Sequence, residues 1–140
     1  MLFRSLSGLD QEQSWDSVLA LEPGSHMYLT EAQLDNACEV LADFADIKSP
    51  YTGGHSRHVA VLVEAAAQQA GLTEHDVKAV QRAALLHDLG KIGISTAIWT
   101  KTGVLSEREW EQVRMHTYYT ERVLARPKGL AQLGDRKSVV

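Results

Sequence analysis

Ala83-Ala84-Leu85-Leu86-His87-Asp88-Leu89-Gly90-Lys91-Ile92-Gly93 is the stretch on which the reading of this chain turns. An apolar run of helical type delivers an imidazole and a carboxylate side by side, and a glycine and a lysine follow at once. A neighbouring His and Asp can bind one metal, or the carboxylate can bridge two metals with its two oxygens. A lysine three residues after the Asp is placed to meet a phosphate. The run points to metal-assisted phosphoester hydrolysis. An acidic residue near a helix C-terminus also opposes the helix dipole and needs a compensating cation. A metal is one such cation. Lys91 is another, and it could equally be an ordinary lysine at a helix end.

The helix carrying this run is predicted from Glu74, capped by Thr73, to about Leu89, with Gly90 ending it. The preceding helix is predicted from His55 to Ala70, between the breaker Ser49-Pro50-Tyr51-Thr52-Gly53-Gly54 and Gly71. Before it, Thr30 and Gln33 form a capping box for a helix reaching Ile47. Leu34, Ala37, Cys38, Leu41, Phe44 and Ala45 recur there at three- and four-residue steps, as one apolar face. Downstream come a short turn at Thr96–Trp99 and the loop Lys101-Thr102-Gly103. A second capping box, Ser106 with Glu109, opens a helix to about Ala125, which Pro127 and Gly129 end. No alternating strand pattern and no repeat occurs, so the expected class is all-α, a helical bundle. Residues 1–28, with Pro23-Gly24, read as an N-terminal extension: a helical turn around Trp15–Leu21, then a linker. Residues 135–140 read as a disordered or appended tail.

Composition narrows the function. The 140 residues suit one small domain with a real core. Hydrophobic content of 44% against 6% aromatic predicts an aliphatic core. No apolar run reaches the ~18 residues that span a bilayer, and no secretory h-region opens the chain. The single cysteine, Cys38, excludes an internal disulfide, and the simplest setting is the cytoplasm. A net charge of −4 and the lack of a helix-turn-helix argue against direct nucleic-acid binding. Residues 1–48 hold two basic and nine acidic side chains, and residues 106–140 hold seven basic and five acidic. That asymmetry could be a partner face, although a solvated surface is the commoner cause.

His55 opens one helix, His87 lies near the end of the next, and His116 lies midway along the last. Consecutive helices with short loops pack as neighbours, so the three can converge on one pocket. Imidazole and carboxylate donors suit Fe, Mn, Zn or Ni alike. A bound divalent ion acidifies a coordinated water toward a pKa of about 7, and Lys91 would neutralise charge developing on phosphoryl oxygens. His26, His58 and His75 read as ordinary surface or core residues, and His116 alone would be an unremarkable helix residue.

Gly54-His55-Ser56, His87-Asp88-Leu89-Gly90-Lys91-Ile92-Gly93 and Arg114-Met115-His116 together resemble the HD superfamily of metal-dependent phosphohydrolases. They resemble in particular its HD-GYP branch, whose members hydrolyse cyclic di-GMP. Ser49-Pro50-Tyr51-Thr52-Gly53-Gly54-His55-Ser56, Leu105-Ser106-Glu107-Arg108-Glu109-Trp110 and Tyr118-Tyr119-Thr120-Glu121-Arg122-Val123-Leu124 are similar to a subgroup of bacterial regulators. In that subgroup an HD-GYP-like domain precedes a LuxR-type DNA-binding output domain. The resemblance covers about residues 29–134. It implies that His55, His87 and Asp88 hold one metal, that Asp88 bridges to a second held partly by His116, and that Lys91 contacts the scissile phosphate. Lys91 and Asp88 are then the expected catalytic residues, one or two divalent ions (Fe, Mn, Zn or Ni) the cofactor, and a nucleotide phosphoester the substrate.

The chain departs from the family pattern at three places. Some members carry a Glu four residues before the first histidine; Tyr51 stands there, so at most two metals are expected. Arg is frequent where His58 stands. HD-GYP domains continue past the equivalent of Leu133 into a His-His-Glu segment and a Gly-Tyr-Pro loop, so an incomplete bundle with weak or absent turnover is expected. The alternative is a catalytically inactive HD regulatory module that senses a ligand or mediates dimerisation. An incomplete core also predicts exposed apolar surface around Val113, Val123 and Leu124, and with it self-association or a domain-swapped dimer.

Overall fold

The computed structural model describes residues 29–126. The expected N-terminal extension, the turn around Trp15–Leu21, His26 and the tail at 135–140 lie outside the described residues. Helix α1 covers Glu31–Asp46, α2 His55–Gln69 and α3 Glu74–Leu86. A 3-10 turn follows at Leu89–Gly93, then the single-turn α4 at Thr96–Trp99 and α5 at Glu107–Leu124. Among the described residues there is no strand, so the all-α class holds. No helix among them is long and apolar enough to cross a membrane.

Local chemistry sets the helix starts. Thr30 Oγ1 accepts the Gln33 N–H at 3.3 Å, while Gln33 Oε1 accepts the Thr30 N–H at 2.9 Å. Ser106 and Glu109 repeat the box at 3.3 and 2.7 Å. Thr73 Oγ1 accepts the Asp76 N–H at 3.2 Å. Each such cap contributes about 1 kcal/mol by satisfying a donor the helix leaves unpaired. Gly54 at the entry to α2 and Gly71 just past its end adopt φ of 73° and 75°, the left-handed region where glycine carries no steric penalty.

The third helix departs from expectation. It stops at Leu86 rather than near Leu89, and the chain tightens into the 3-10 turn. The cause lies in α5, which packs on this turn. Gly90 gives its N–H to the hydroxyl of Thr120 at 2.9 Å. Asp88 takes φ −104°, ψ 8°, between helical and extended backbone.

The core is aliphatic. Cys38, Ala42 and Ala45 of α1 meet Ala60 of α2, then Ala84, Leu85 and Leu86 of α3, Leu89 of the turn and Leu124 of α5. Burial pushes the Cys38 thiol up, which suits a small buried hydrophobe. Two sequence expectations fail here. Phe44 is 58% exposed, and Ala42, off the predicted stripe, joins the expected Cys38 and Ala45 on the inner face of α1. Leu124 is 1% exposed, so it belongs to the core and not to an uncovered apolar surface. Val113 is half-buried, and Val123 alone of the three is exposed.

The acidic side chains of α1 form partly solvated ion pairs with arginines of the neighbouring helices. Arg57 of α2 places Nε 2.6 Å and Nη2 2.7 Å from the two oxygens of Asp43, and Nη1 2.7 Å from Glu39. Arg82 of α3 reaches Asp35 at 2.7 Å and Glu31 at 2.6 Å. Two arginine forks, one from each neighbouring helix, thus hold α1 in register, and the bidentate Arg57–Asp43 pair fixes orientation as well as distance.

Candidate metal centre

The start of α2, the end of α3, the 3-10 turn and the middle of α5 bring the predicted residues to one place. His55 begins α2. Gly54, just before it, has no side chain to cap the helix. Asp46, the last residue of α1, does so instead: its carboxylate accepts the Ser56 N–H at 2.9 Å and the Ser56 Oγ–H at 2.8 Å, and both residues are buried. A carboxylate at this N-terminus meets the positive end of the α2 dipole. Thr52 donates its hydroxyl to the Asp46 carbonyl at 2.9 Å, which closes the connecting turn. His55 is therefore presented from a rigid entry, half-exposed at the rim.

Asp88 is the floor of the site. Its side chain is 5% exposed, and the groups around it fall on both of its oxygens. Lys91 Nζ lies 2.5 Å, His87 Nε2 3.1 Å and His55 Nε2 3.6 Å from Oδ2, while His116 Nε2 lies 3.6 Å from Oδ1. His55, His87 and Asp88 form the tightest group, with one ligand atom from each within 4.8 Å of the others. His116 approaches the other oxygen. Burial alone would push the Asp88 carboxyl up. When the His87 ring carries a proton on each nitrogen, its hydrogen bond and that of Lys91, with the charges of the two groups, outweigh burial and hold it well below the usual carboxylate range.

The ring orientations are also set by the backbone. His87 Nδ1 lies 2.7 Å from the Ala84 carbonyl, and His116 Nδ1 2.6 Å from the Val113 carbonyl. A carbonyl only accepts, so Nδ1 carries the proton in each ring. In the neutral imidazole the lone pair is then on Nε2, the atom that faces Asp88. Two imidazoles preset in this tautomer, a third at the rim and a buried ionised carboxylate make a donor set that fits a divalent transition metal.

Lys91 and Trp99 complete the wall. The Lys91 ammonium stands over the Trp99 ring at 5.4 Å from its centroid, a cation–π arrangement. The same indole meets the His116 ring edge-on, with centroids 6.3 Å apart. The Trp99 Nε1 is buried and has no hydrogen-bond partner among the described residues. Lys91 is thus more than a helix-end cation, because its head is directed at Asp88.

The structure brings together all of His55, His87, Asp88, Lys91 and His116. The remaining described histidines stay apart. His58 is exposed beside Gly54, and His75 is exposed with Nδ1 3.8 Å from Asp76. Tyr51 is 78% exposed. Sequence reasoning overlooked three contributors. Asp46 carries the same signal as Asp88, an acid at a helix C-terminus that needs a partner. Thr120 stands one turn after His116. Trp99 had no signal beyond its rarity in an aromatic-poor chain.

An all-α domain with histidines from three helices around one buried aspartate is the class that the fold and site define. The comparisons agree. The HD domain family model matches residues 52–138. The chain belongs to the HD domain family, whose members are metal-dependent. It is 43% identical over 122 residues to 3'3'-cGAMP-specific phosphodiesterase 3 of Vibrio cholerae, covering 86% of this chain and 26% of that protein. It is 34% identical over 117 residues to the cyclic di-GMP phosphodiesterase of Thermotoga maritima, covering 81% of this chain and 32% of that protein. The cyclic di-GMP phosphodiesterase response regulator RpfG of Xanthomonas campestris is 44% identical over 59 residues, 42% of this chain and 15% of that protein. The chain therefore spans about a third or less of the length of these curated relatives. Their names agree with the HD-GYP-like resemblance.

Proposed function

We propose that this chain carries the metal-binding residues of a phosphodiesterase domain of HD-GYP type, which acts on a cyclic dinucleotide within a signalling regulator. The observation that carries the reading is the approach of imidazoles to both oxygens of Asp88, His55 and His87 to one and His116 to the other. His55, His87 and Asp88 would hold one divalent ion, and Asp88 with His116 would contribute to a second. The donor set admits Fe, Mn, Zn or Ni. Such an ion supplies Lewis acidity toward a phosphoryl oxygen and brings the pKa of water down toward about 7.

The chain's own residues do the rest. The carbonyls of Ala84 and Val113 hold the His87 and His116 rings so that Nε2 points inward. The Lys91 ammonium beside Asp88 helps keep its carboxylate ionised. Lys91, on a 3-10 turn at the edge of the site, brings a positive charge to the place where phosphoryl oxygens gain negative charge in the transition state. Trp99 limits where that ammonium can go. The relatives' names, for 3'3'-cGAMP and cyclic di-GMP, support a cyclic dinucleotide as substrate.

The test is metal analysis of the purified chain, together with an assay on cyclic di-GMP with added manganese. Stoichiometric metal that disappears in His87→Ala supports the reading. A chain that takes up no divalent ion overturns it. Metal binding without turnover, here and in a longer chain carrying the same residues, would leave a regulatory HD module in its place.

A further inference from the structure

Thr120 lies fully buried on α5, one turn after His116. Its hydroxyl stands at a junction of three backbone groups. It accepts the Gly90 N–H at 2.9 Å, and its oxygen lies 3.0 Å from the His116 carbonyl and 3.1 Å from the His87 carbonyl. One hydroxyl has one proton to give, so it serves one of those two carbonyls at a time. A threonine that bonds the carbonyl one turn back is an ordinary helix feature. The other two contacts are not ordinary, because they reach 30 and 33 residues back along the chain, to the residues on either side of Asp88 and Leu89.

The crossing is a backbone-to-backbone contact. A Cβ built on Gly90 would stand 1.9 Å from the His116 carbonyl oxygen and 2.6 Å from the Thr120 nitrogen. Only glycine lets α5 come this close to the turn. Close approach alone does not fix register, since two smooth surfaces can slide. A buried hydroxyl on α5 that accepts from Gly90 and can donate to His87 fixes it, because sliding leaves the Gly90 N–H without an acceptor.

We propose that Thr120 is a positioning residue that sets His116 against His87 across the two oxygens of Asp88, and so allows that carboxylate to serve two divalent ions. The inference rests on the two-ion reading of the site given above. Thr120 touches no reacting atom. It acts through the backbone of the two histidines, whose Nε2 atoms lie 3.1 and 3.6 Å from opposite oxygens of Asp88.

The test is a manganese titration of the 140-residue chain, followed by calorimetry and by the electron paramagnetic resonance signal of unbound Mn(II). Native chain, Thr120→Val, Thr120→Ser, His116→Ala and the His116→Ala/Thr120→Val double variant are compared. The expected result is two ions for the native chain. The valine variant holds the first ion but binds the second on the order of 10- to 100-fold more weakly, the usual cost of losing a ligand's support. The serine variant recovers native binding, and the double variant binds no worse than His116→Ala alone. Native binding by Thr120→Val, weak binding by a folded Thr120→Ser, or additive losses in the double variant overturns the assignment, while the two-ion reading stands. If Thr120→Val does not fold by circular dichroism, the serine variant decides: two ions support the assignment and loss of the second overturns it. If the native chain binds no ion, or one ion indifferent to His116→Ala, the two-ion reading falls and this assignment falls with it.

Discussion

His87 Nδ1 lies 2.7 Å from the carbonyl oxygen of Ala84, three residues earlier in the chain. That contact belongs to the end of α3, where carbonyls have lost their helical donors, and it turns a leftover acceptor into an orienting group. Because Nδ1 must donate, Nε2 is the atom that would ligate a metal. Metal binding then competes with protonation at Nε2, so affinity falls as the solution is acidified. We expect His87→Ala to lose stoichiometric manganese while keeping the helical fold, since the ring is near the surface of the site. Elemental analysis and circular dichroism check the two halves of this. Retained stoichiometric metal would remove His87 from the ligand set.

Asp46 supports His55 from behind. Its carboxylate takes two hydrogen bonds from Ser56 in a buried setting. Asp46→Ala removes both acceptors and leaves the Ser56 N–H and hydroxyl buried without their partner. The expected cost is about 1–3 kcal/mol, the desolvation penalty of a buried group left without its partner. Urea unfolding measures it. Metal affinity should fall as well, by about 10-fold, through the displaced start of α2. Unchanged stability would mean that the Ser56 contacts are dispensable.

Gly90 and Gly93 make a paired comparison. A Cβ on Gly90 meets backbone atoms of α5, which cannot swing aside, whereas one on Gly93 meets the Tyr119 ring at 3.1 Å. Tyr119 is exposed enough to yield. Gly90→Ala should therefore destabilise by about 1–3 kcal/mol or more and displace α5, with Gly93→Ala well below it. Denaturant midpoints of the two variants decide, and equal effects would contradict the close crossing.

The helix starts were legible because capping is local: Thr30 with Gln33, Thr73, and Ser106 with Glu109 are each read from a window of four residues. The site residues were legible because His87, Asp88 and Lys91 adjoin, and because His55 and His116 match a family spacing. What escaped depended on distant parts of the chain. The early end of α3 answers to Thr120, far downstream on α5. Phe44 has the right period for the core, but Ala42, which that pattern passes over, packs inward beside the expected Cys38 and Ala45. Leu124 was expected at the surface on the argument that the bundle was incomplete, yet it is buried against residues already present. The acidic bias of α1 looked like a solvated or partner face because its arginines lie on other helices.

The loop between α4 and α5 carries a pH-sensitive tie. Glu109 Oε2 accepts from Lys101 Nζ at 2.6 Å, from the Ser106 N–H at 2.7 Å and from the Ser106 hydroxyl at 2.8 Å. The Lys101 bond, then the Ser106 backbone and hydroxyl bonds, lower its carboxyl from the ordinary 4.5 to about 2. A depressed folded-state pKa means that the unfolded chain takes up the proton first as pH falls. The stabilisation by Glu109 is thus fully present above pH 4.5 and is lost as the pH drops toward about 2. Glu109→Gln should be less stable than the native chain at neutral pH, and the gap should close across that window. High salt should narrow it too, because the group is open to solvent. Paired urea titrations at pH 7, 4 and 2.5 follow the gap, and a gap that did not change with pH would show that the stability contributed at Glu109 comes from capping shape and not from its charge.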